Sequence, residues 1–362
     1  MKHLNVLVII GGQSPEHQIS LISGKNIIEN LDREKYKVKI VGIQPNGKWK
    51  YYGESKFLKN AGNPDKIKLT NSKIEVCIVQ KNTGHHLINV KNGKKIAKID
   101  VVFPVLHGRN GEDGTIQGYF RMIGIPFVGT DVAASAIGMD KDISKRLWRD
   151  AGIPIAKYVV LDHSNKENET YTSLSKKLGK VMFIKPANTG SAVGVNKVTN
   201  ENEFLHAVEN AFLYDRKILA EEAIDCIEVE CAVLGYRDVQ ASILGSLKAT
   251  QEFYTYDAKY LDEDGAKFEI PAKIPIKLRN ELRRTAVKAF QAIGGEGLSR
   301  VDFFLKNDNT FVLNEINTMP GFTSISMYPK LWAATDLPIR DLLDKLILLS
   351  IERFLDQEQR QN

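Results

Sequence analysis

The sequence predicts an α/β protein that opens on a parallel sheet and continues through two smaller α+β lobes. Three observations predict it. The run Leu4 to Ile10 is apolar in a continuous rather than alternating way, which suits a parallel strand buried on both faces. A helical stripe and a second apolar strand follow it directly, making a β-α-β unit. The 362 residues, at about 150 per domain, leave room for two to three domains.

The elements follow in order. Gly11-Gly12 turns the chain, Ser14 is placed to cap a helix, and Pro15 suits its first turn. Ile19, Ile22, Ile27, Ile28 and Leu31 supply the helical stripe, and Val38 to Ile43 is the second strand. From 45 to 98 the pattern is more polar, with Asn-Gly at 46–47 and 92–93, and reads as hairpins added to the first lobe. Asp100 to Leu106 is another buried strand, and the glycine-rich stretch from Gly108 to Gly114 turns into a helix. Around Met139-Asp140-Lys141 the chain changes character. A helix over 143–151 stops at Gly152-Ile153-Pro154; strands at 157–161, 181–185, 195–198 and 217–222 then alternate with helices at 171–178 and 201–213. The last lobe has strands at 228–235 and 241–247, a polar stretch at 251–268, a helix at 277–292, strands at 298–305 and 310–316, and a terminal helix at 337–354. The expected lobes are 1–140, 141–224 and 225–362.

Composition narrows the function. With 43% hydrophobic and 26% charged residues the chain is an ordinary globular protein, not a disordered one. Fifty Lys and Arg against 44 Asp and Glu give a net charge of +6 with no dense basic face, so no nucleic-acid partner is expected. An excess of that size equally suits a small, highly anionic ligand. Cys77, Cys226 and Cys231 form no C-x-x-C pair and read as reduced thiols. The first apolar run is too short for a signal peptide, and none approaches the ~18 residues of a membrane span. The expectation is a cytoplasmic protein without a membrane partner.

Neither G-x-G-x-x-G after a strand nor a P-loop occurs, which disfavours Rossmann and P-loop nucleotide binding. Instead, Phe183-Ile184-Lys185-Pro186 ends a strand in a lysine, and Gly190-Ser191-Ala192-Val193-Gly194 leads into another strand. Small residues let backbone N–H groups close around phosphate oxygens while the lysine adds a mobile charge. Further on, alternation puts Arg300 and Asp302 on one strand face, and Glu315 and Asn317 on one face of the next. If these strands pair, three oxygen-bearing side chains and an arginine converge, a set suited to Mg²⁺. A salt-bridged sheet face is the alternative.

Taken together, seven motifs in order carry a resemblance. They are Gly11-Gly12-x-Ser14-x-Glu16-His17, His107-Gly108-x-x-Gly111-Glu112-Asp113-Gly114, Met139-Asp140-Lys141, Lys185-Pro186 with Gly190-Ser191, Asp257-Ala258-Lys259-Tyr260, Arg300-Val301-Asp302 and Asn314-Glu315-Ile316-Asn317-Thr318. The set resembles the D-alanine:D-alanine ligases, members of the ATP-grasp enzymes, and spans about residues 4 to 355. The resemblance implies an ATP-grasp fold behind an N-terminal parallel-sheet domain, and a ligase making D-alanyl-D-alanine through an acyl phosphate for peptidoglycan synthesis. It implies ATP as co-substrate, two Mg²⁺ ions per site (Mn²⁺ as a substitute), D-alanine as substrate and a homodimer. Lys141, Lys185 and Lys259 would contact ATP phosphates, and Glu221, Ile224 and Glu228 would line the adenosine pocket. Asp302, Glu315 and Asn317 would hold the metals. Glu16 would hold the ammonium of the first D-alanine with His107 near it, linked through Ser191 to Tyr260. Arg300 and the Gly321 N–H would face the oxyanion, and Ser326 the second carboxylate. The segment 251–268 would be a mobile lid. Two departures stand out: Ala192 replaces a common serine of the phosphate loop, and Gly295 a common cysteine. A ligase using D-lactate or D-serine second is the alternative within the family, and a nucleotide-binding regulator without turnover the alternative outside it.

Overall fold

A computed structural model describes residues 3–166, 169–249 and 266–361. Its first sheet is built on Leu4–Gly11, which lies parallel to Tyr36–Ile43 on one side and Val101–Val105 on the other. The helix His17–Asn30 makes the first crossover, and Trp49–Tyr52 adds an antiparallel edge. The expected hairpins follow as a two-stranded ladder, Leu58–Lys59 with Lys68–Leu69, and a three-stranded sheet of Val76–Lys81, Gly84–Asn89 and Lys95–Ile99.

The second sheet is antiparallel, in the order Tyr158–Asp162, Lys217–Glu222, Met182–Pro186, Asn196–Val198. The third runs Ala266–Glu269, Gln240–Ala249, Cys226–Gly235, Gly297–Lys306, Phe311–Asn317, also antiparallel. One apolar core joins the first and third sheets: Val6, Val8 and Ile10 pack in the same cluster as Leu234, Leu298, Phe322 and Tyr328. The second sheet keeps a core of its own around Leu174, Met182, Ile184, Phe204 and Ile218. The site described below therefore lies where two differently anchored units meet.

The structure corrects one local expectation and adds two helices. Ser14 does not cap the first helix; Glu16 is the N-cap residue, and the Ser14 hydroxyl accepts the Glu16 N–H at 3.1 Å instead. The helix Val132–Met139 carries no apolar stripe to announce it, because its buried face is Ala134, Ser135 and Gly138. The helix Met327–Ala333 contains Pro329, which reads as a breaker but falls in the first turn, where N–H groups lack helical partners. The departure at Gly295 has a packing cause, since a Cβ there would lie 2.3 Å from the Phe290 ring.

Candidate active site

The Met-Asp-Lys motif is a helix start. The Asp140 carboxylate accepts the N–H groups of Asp142 and Ile143 and pairs with Lys217 at 2.6 Å, so Lys141 becomes the first residue of helix Lys141–Asp150. Its Nζ donates to the Thr189 carbonyl at 2.6 Å and stands 3.7 Å from Glu315. Lys185 and Glu221 lie on adjacent antiparallel strands, diagonally placed on one face, and Lys185 Nζ donates to Glu221 Oε1 at 2.6 Å. Glu221 is no edge-strand charge. It is on an inner strand, 2% exposed, with Lys145 Nζ 3.0 Å from its other oxygen. Burial by itself would raise the Glu221 pKa, but Lys145 and Lys185 outweigh it and hold the carboxyl at about 2.

Between Lys185 and the next strand the loop turns tightly. Ser191, Ala192 and Gly194 all have positive φ, at 51°, 56° and 73°. For the two non-glycine residues this costs roughly 1–2 kcal/mol each. The turn brings the Ser191 hydroxyl to Glu16, to which it donates a hydrogen bond. Glu112 shares that corner. It accepts the Gly108 N–H at 2.6 Å, and burial, with Glu16 as the next cause, pushes its pKa up to about 8. Only glycine fits at 108: φ is +70°, and a Cβ would fall 2.4 Å from Glu16 Oε2.

The two C-terminal strands do pair, with Arg300 opposite Asn317 and Asp302 opposite Glu315. The guanidinium of Arg300 grips Asp302 through two hydrogen bonds, at 2.8 and 2.6 Å, and reaches Glu230 at 3.1 Å. Asn317 Oδ1 accepts the Met319 N–H at 3.3 Å. Among the described residues no three His, Cys, Asp or Glu side chains cluster as a metal site. Two carboxylates and an amide on facing strands still make an all-oxygen donor set that fits a hard divalent cation, with Arg300 as the group to be exchanged.

Two adjoining cavities collect these residues. The larger, about 300 Å³, is lined by Lys141, Lys185, Ser191, Glu221, Ile224, Glu228 and Glu315 among others. A smaller one of about 50 Å³ is lined by Glu16, Glu112, Lys141, Ser191, Arg300, Glu315 and Asn317 among others. Lys141, Ser191 and Glu315 border both. His107, Asp302, Gly321 and Ser326 border neither; Asp302 reaches the smaller cavity through its pairing with Arg300. His107 is instead a cross-link: one ring nitrogen meets the Met319 carbonyl at 3.0 Å and the other the Ser23 hydroxyl at 3.2 Å. A carbonyl only accepts, so Nδ1 carries the proton and Nε2 accepts from Ser23, whose oxygen also accepts the Phe322 N–H at 3.1 Å. Burial holds this ring's pKa down to about 4. Ser326 is the N-cap residue of helix Met327–Ala333, with its oxygen 2.8 Å from the Thr323 hydroxyl. Lys259, Tyr260 and most of the 251–268 segment lie outside the described residues.

Four further residues belong to the site. Lys145 follows Lys141 by one helical turn, a spacing that puts both on one face. Glu230 is two residues beyond Glu228 on one strand and sits opposite Asp302, a pairing that strand alternation indicates. Glu112 is inside a quoted motif, and Ser23 has no local signal at all.

Comparison with known proteins agrees with this geometry. The family model described as the D-ala D-ala ligase N-terminus matches residues 5–130, and that of the D-ala D-ala ligase C-terminus matches 147–348. D-alanine–D-alanine ligase A of Escherichia coli K12 is 46% identical over 98% of this chain and 97% of its own length. The D-alanine–D-alanine ligase of Shouchella clausii is 46% identical over 98% and 96%. Among solved structures, the D-alanine-D-alanine ligase of Coxiella burnetii has a TM-score of 0.83 at 33% identity, covering 98% of this chain and 97% of that one. The D-Ala:D-Ser ligase VanG of Enterococcus faecalis also has a TM-score of 0.83, at 36% identity, covering 96% and 100%. With both halves of one family in order and relatives aligned end to end, the chain belongs to the D-alanine–D-alanine ligase family.

Proposed function

We propose that this protein joins two D-alanines into D-alanyl-D-alanine at the expense of ATP, through an acyl phosphate, in peptidoglycan precursor synthesis. The observation that carries the reading is a pair of adjoining cavities that share Lys141, Ser191 and Glu315: one adds Lys185, and the other adds Glu16 and Arg300. The lysines suit a phosphate donor, and Glu16 suits a substrate ammonium. The lobes 1–140, 141–224 and 225–362 divide the work: the first offers Glu16, the second the phosphate loop, the third Arg300 and the acidic strand pair.

In the first step the carboxylate of one D-alanine attacks the γ-phosphate and ADP leaves, giving the acyl phosphate. Two anions approach, so Lys141, Lys185 and Lys259 lower the repulsion by donating to phosphate oxygens. Asp302, Glu315 and Asn317 are the residues to hold Mg²⁺, or Mn²⁺ in its place, two ions per site. Bound there, such ions neutralise phosphate charge. The amine of the second D-alanine then attacks the acyl carbon, an oxyanion develops for Arg300 and the Gly321 N–H, and its collapse expels phosphate as the amine loses its proton, leaving the dipeptide. Losing one such donor typically costs about 3–4 kcal/mol. Ser326 receives the second carboxylate. Glu221, Ile224 and Glu228 border the end of the cleft left for adenosine. The segment 251–268, carrying Lys259 and Tyr260, closes over the acyl phosphate against water. The enzyme works as a cytoplasmic homodimer. D-serine as second substrate is the other reading, favoured by the likeness to VanG alone.

Phosphate release on mixing with ATP, Mg²⁺ and either enantiomer of alanine tests the proposal. Release is expected with D-alanine only, because Glu16 and the oxyanion donors face one hand of the substrate. Equal release with L-alanine would refute it.

A further inference from the structure

We infer that Lys145 is a positioning residue for nucleotide binding, a fixed counter-ion that lets Lys185 leave Glu221 for a phosphate. This rests on the reading that Lys185 serves ATP phosphates.

The observation is a buried arrangement of three charges. Glu221 is 2% exposed and held by two ammonium groups, Lys185 on Oε1 at 2.6 Å and Lys145 on Oε2 at 3.0 Å. The two lysines are not equivalent. Lys185 borders the cavity and makes a hydrogen bond of good geometry. Lys145 is 0% exposed, borders neither cavity, and has Glu221 as the one polar partner of its Nζ among the described residues. Its other neighbour is the ring of Tyr158, whose centroid is 5.9 Å from Nζ.

One lysine would suffice to neutralise Glu221 if neutralisation were the only task. A buried ammonium with a single polar partner is costly, and burial does push the Lys145 pKa down. Its placement is accounted for once Lys185 has to move. When Lys185 turns to a phosphate oxygen, a Glu221 with no second partner would become an isolated buried carboxylate. Removing one member of a buried pair is strongly destabilising for that reason. Lys145 stays behind, so Glu221 remains neutralised and the exchange is nearly balanced. Lys145 touches neither nucleotide nor substrate in this scheme; it acts through Glu221 on Lys185.

The test compares Lys145→Met with the double variant Lys145→Met/Glu221→Gln. Methionine keeps an unbranched apolar stem, and Glu221 retains Lys185 in the single variant. The double variant removes both charges of the buried pair, so both proteins should fold, which a thermal melt verifies. Affinity for the non-hydrolysable analogue AMP-PNP with Mg²⁺ is measured by calorimetry, and adenosine by competition. In Lys145→Met, Glu221 monopolises Lys185, the competent fraction falls, and AMP-PNP should bind about tenfold or more weakly. Adenosine, lacking phosphates, should bind as before. Because Glu221 also borders the adenosine end, the double variant is read as the ratio of AMP-PNP to adenosine affinity, which freeing Lys185 should return to within about threefold of the unmodified protein's. A Lys145 needed only for packing would give the opposite result, since a second buried change would not restore binding. Unchanged AMP-PNP affinity in Lys145→Met, or a double variant whose AMP-PNP-to-adenosine ratio is no higher than the single variant's, overturns the inference. Failure of the unmodified protein to bind AMP-PNP would instead remove the nucleotide reading itself, and this inference with it.

Discussion

Acidification should unfasten this protein at His107. The ring is 5% exposed and joins the Met319 carbonyl to Ser23, which also holds the Phe322 N–H. It thereby ties the loop after strand Phe311–Asn317 to the first helix. A second proton would need Nε2 to donate where it now accepts from Ser23. The ring titrates at about 4 in the fold and at an ordinary 6.5 unfolded, with burial as the largest cause. Between those values the unfolded chain takes up a proton that the folded one refuses. Stability from this group is therefore fully present above pH 6.5 and lost as pH falls through about 4. Linkage sets its ceiling at about 3 kcal/mol. The assay is urea unfolding at steps from pH 7.5 to 4.5, followed by tryptophan fluorescence, for the unmodified protein and His107→Gln. Glutamine can still donate to Met319, so the variant should be about 1 kcal/mol weaker at pH 7.5. The difference should shrink and then reverse towards pH 4.5, because only the unmodified protein has a ring to charge. Parallel pH profiles for the two proteins would refute the reasoning.

Two other outcomes are expected. Arg300→Met should lower stability by about 3–5 kcal/mol as well as abolish ligation, since buried Asp302 and Glu230 both lose the guanidinium. Adding Glu230→Gln should recover part of the melting temperature and none of the activity, and an Arg300→Met protein that melts normally would dismiss the pairing. Glu112 gives a pH dependence of opposite sign to His107: its carboxyl keeps a proton up to about 8, chiefly through burial, so its share of stability is present below about 4.5 and declines as pH rises through 8. Urea midpoints of Glu112→Gln should be flatter than those of the unmodified protein over that interval; an identical slope would exclude the assignment.

Legibility in the sequence follows the range of the interaction involved. Strands such as Leu4–Gly11 and Val101–Val105 are announced by their own residues, because a strand covered on both faces must be apolar throughout. Helix Val132–Met139 is not, since small residues, not an apolar stripe, let it pack closely; Gly138 stands where a Cβ would fall 2.7 Å from Thr318. In the site, Arg300, Asp302, Glu315 and Asn317 are readable through alternation, and the observed register brings them face to face. Their partners are another matter. That Lys185 meets Glu221 depends on how two strands 36 residues apart come into register, and that Lys145 meets it too depends on docking a helix against that sheet. Ser23 is a further step removed, linking His107 to a loop nearly three hundred residues later in the chain. Motifs record residue types that chemistry requires, whereas the charge balance among them is settled only by packing.

That charge balance bears on how ATP and metal would enter. Each described cation proposed to act on phosphate or oxyanion is already held by a carboxylate: Lys141 stands 3.7 Å from Glu315, Lys185 is 2.6 Å from Glu221, and Arg300 grips Asp302. Without anionic ligands, such a concentration of positive charge would repel itself, and these carboxylates offset it. Two of them, Asp302 and Glu315, are also proposed metal ligands. Phosphates that draw Lys141 away would therefore free Glu315 oxygens that a divalent cation needs. A cation that took the oxygens of Glu315 and Asp302 first would in turn release the lysine towards phosphate and the arginine towards the oxyanion. By reciprocity the two ligands must then strengthen each other's binding by the same factor. On the proposed ligand set, cooperation between nucleotide and metal would thus follow from which side chains are paired beforehand.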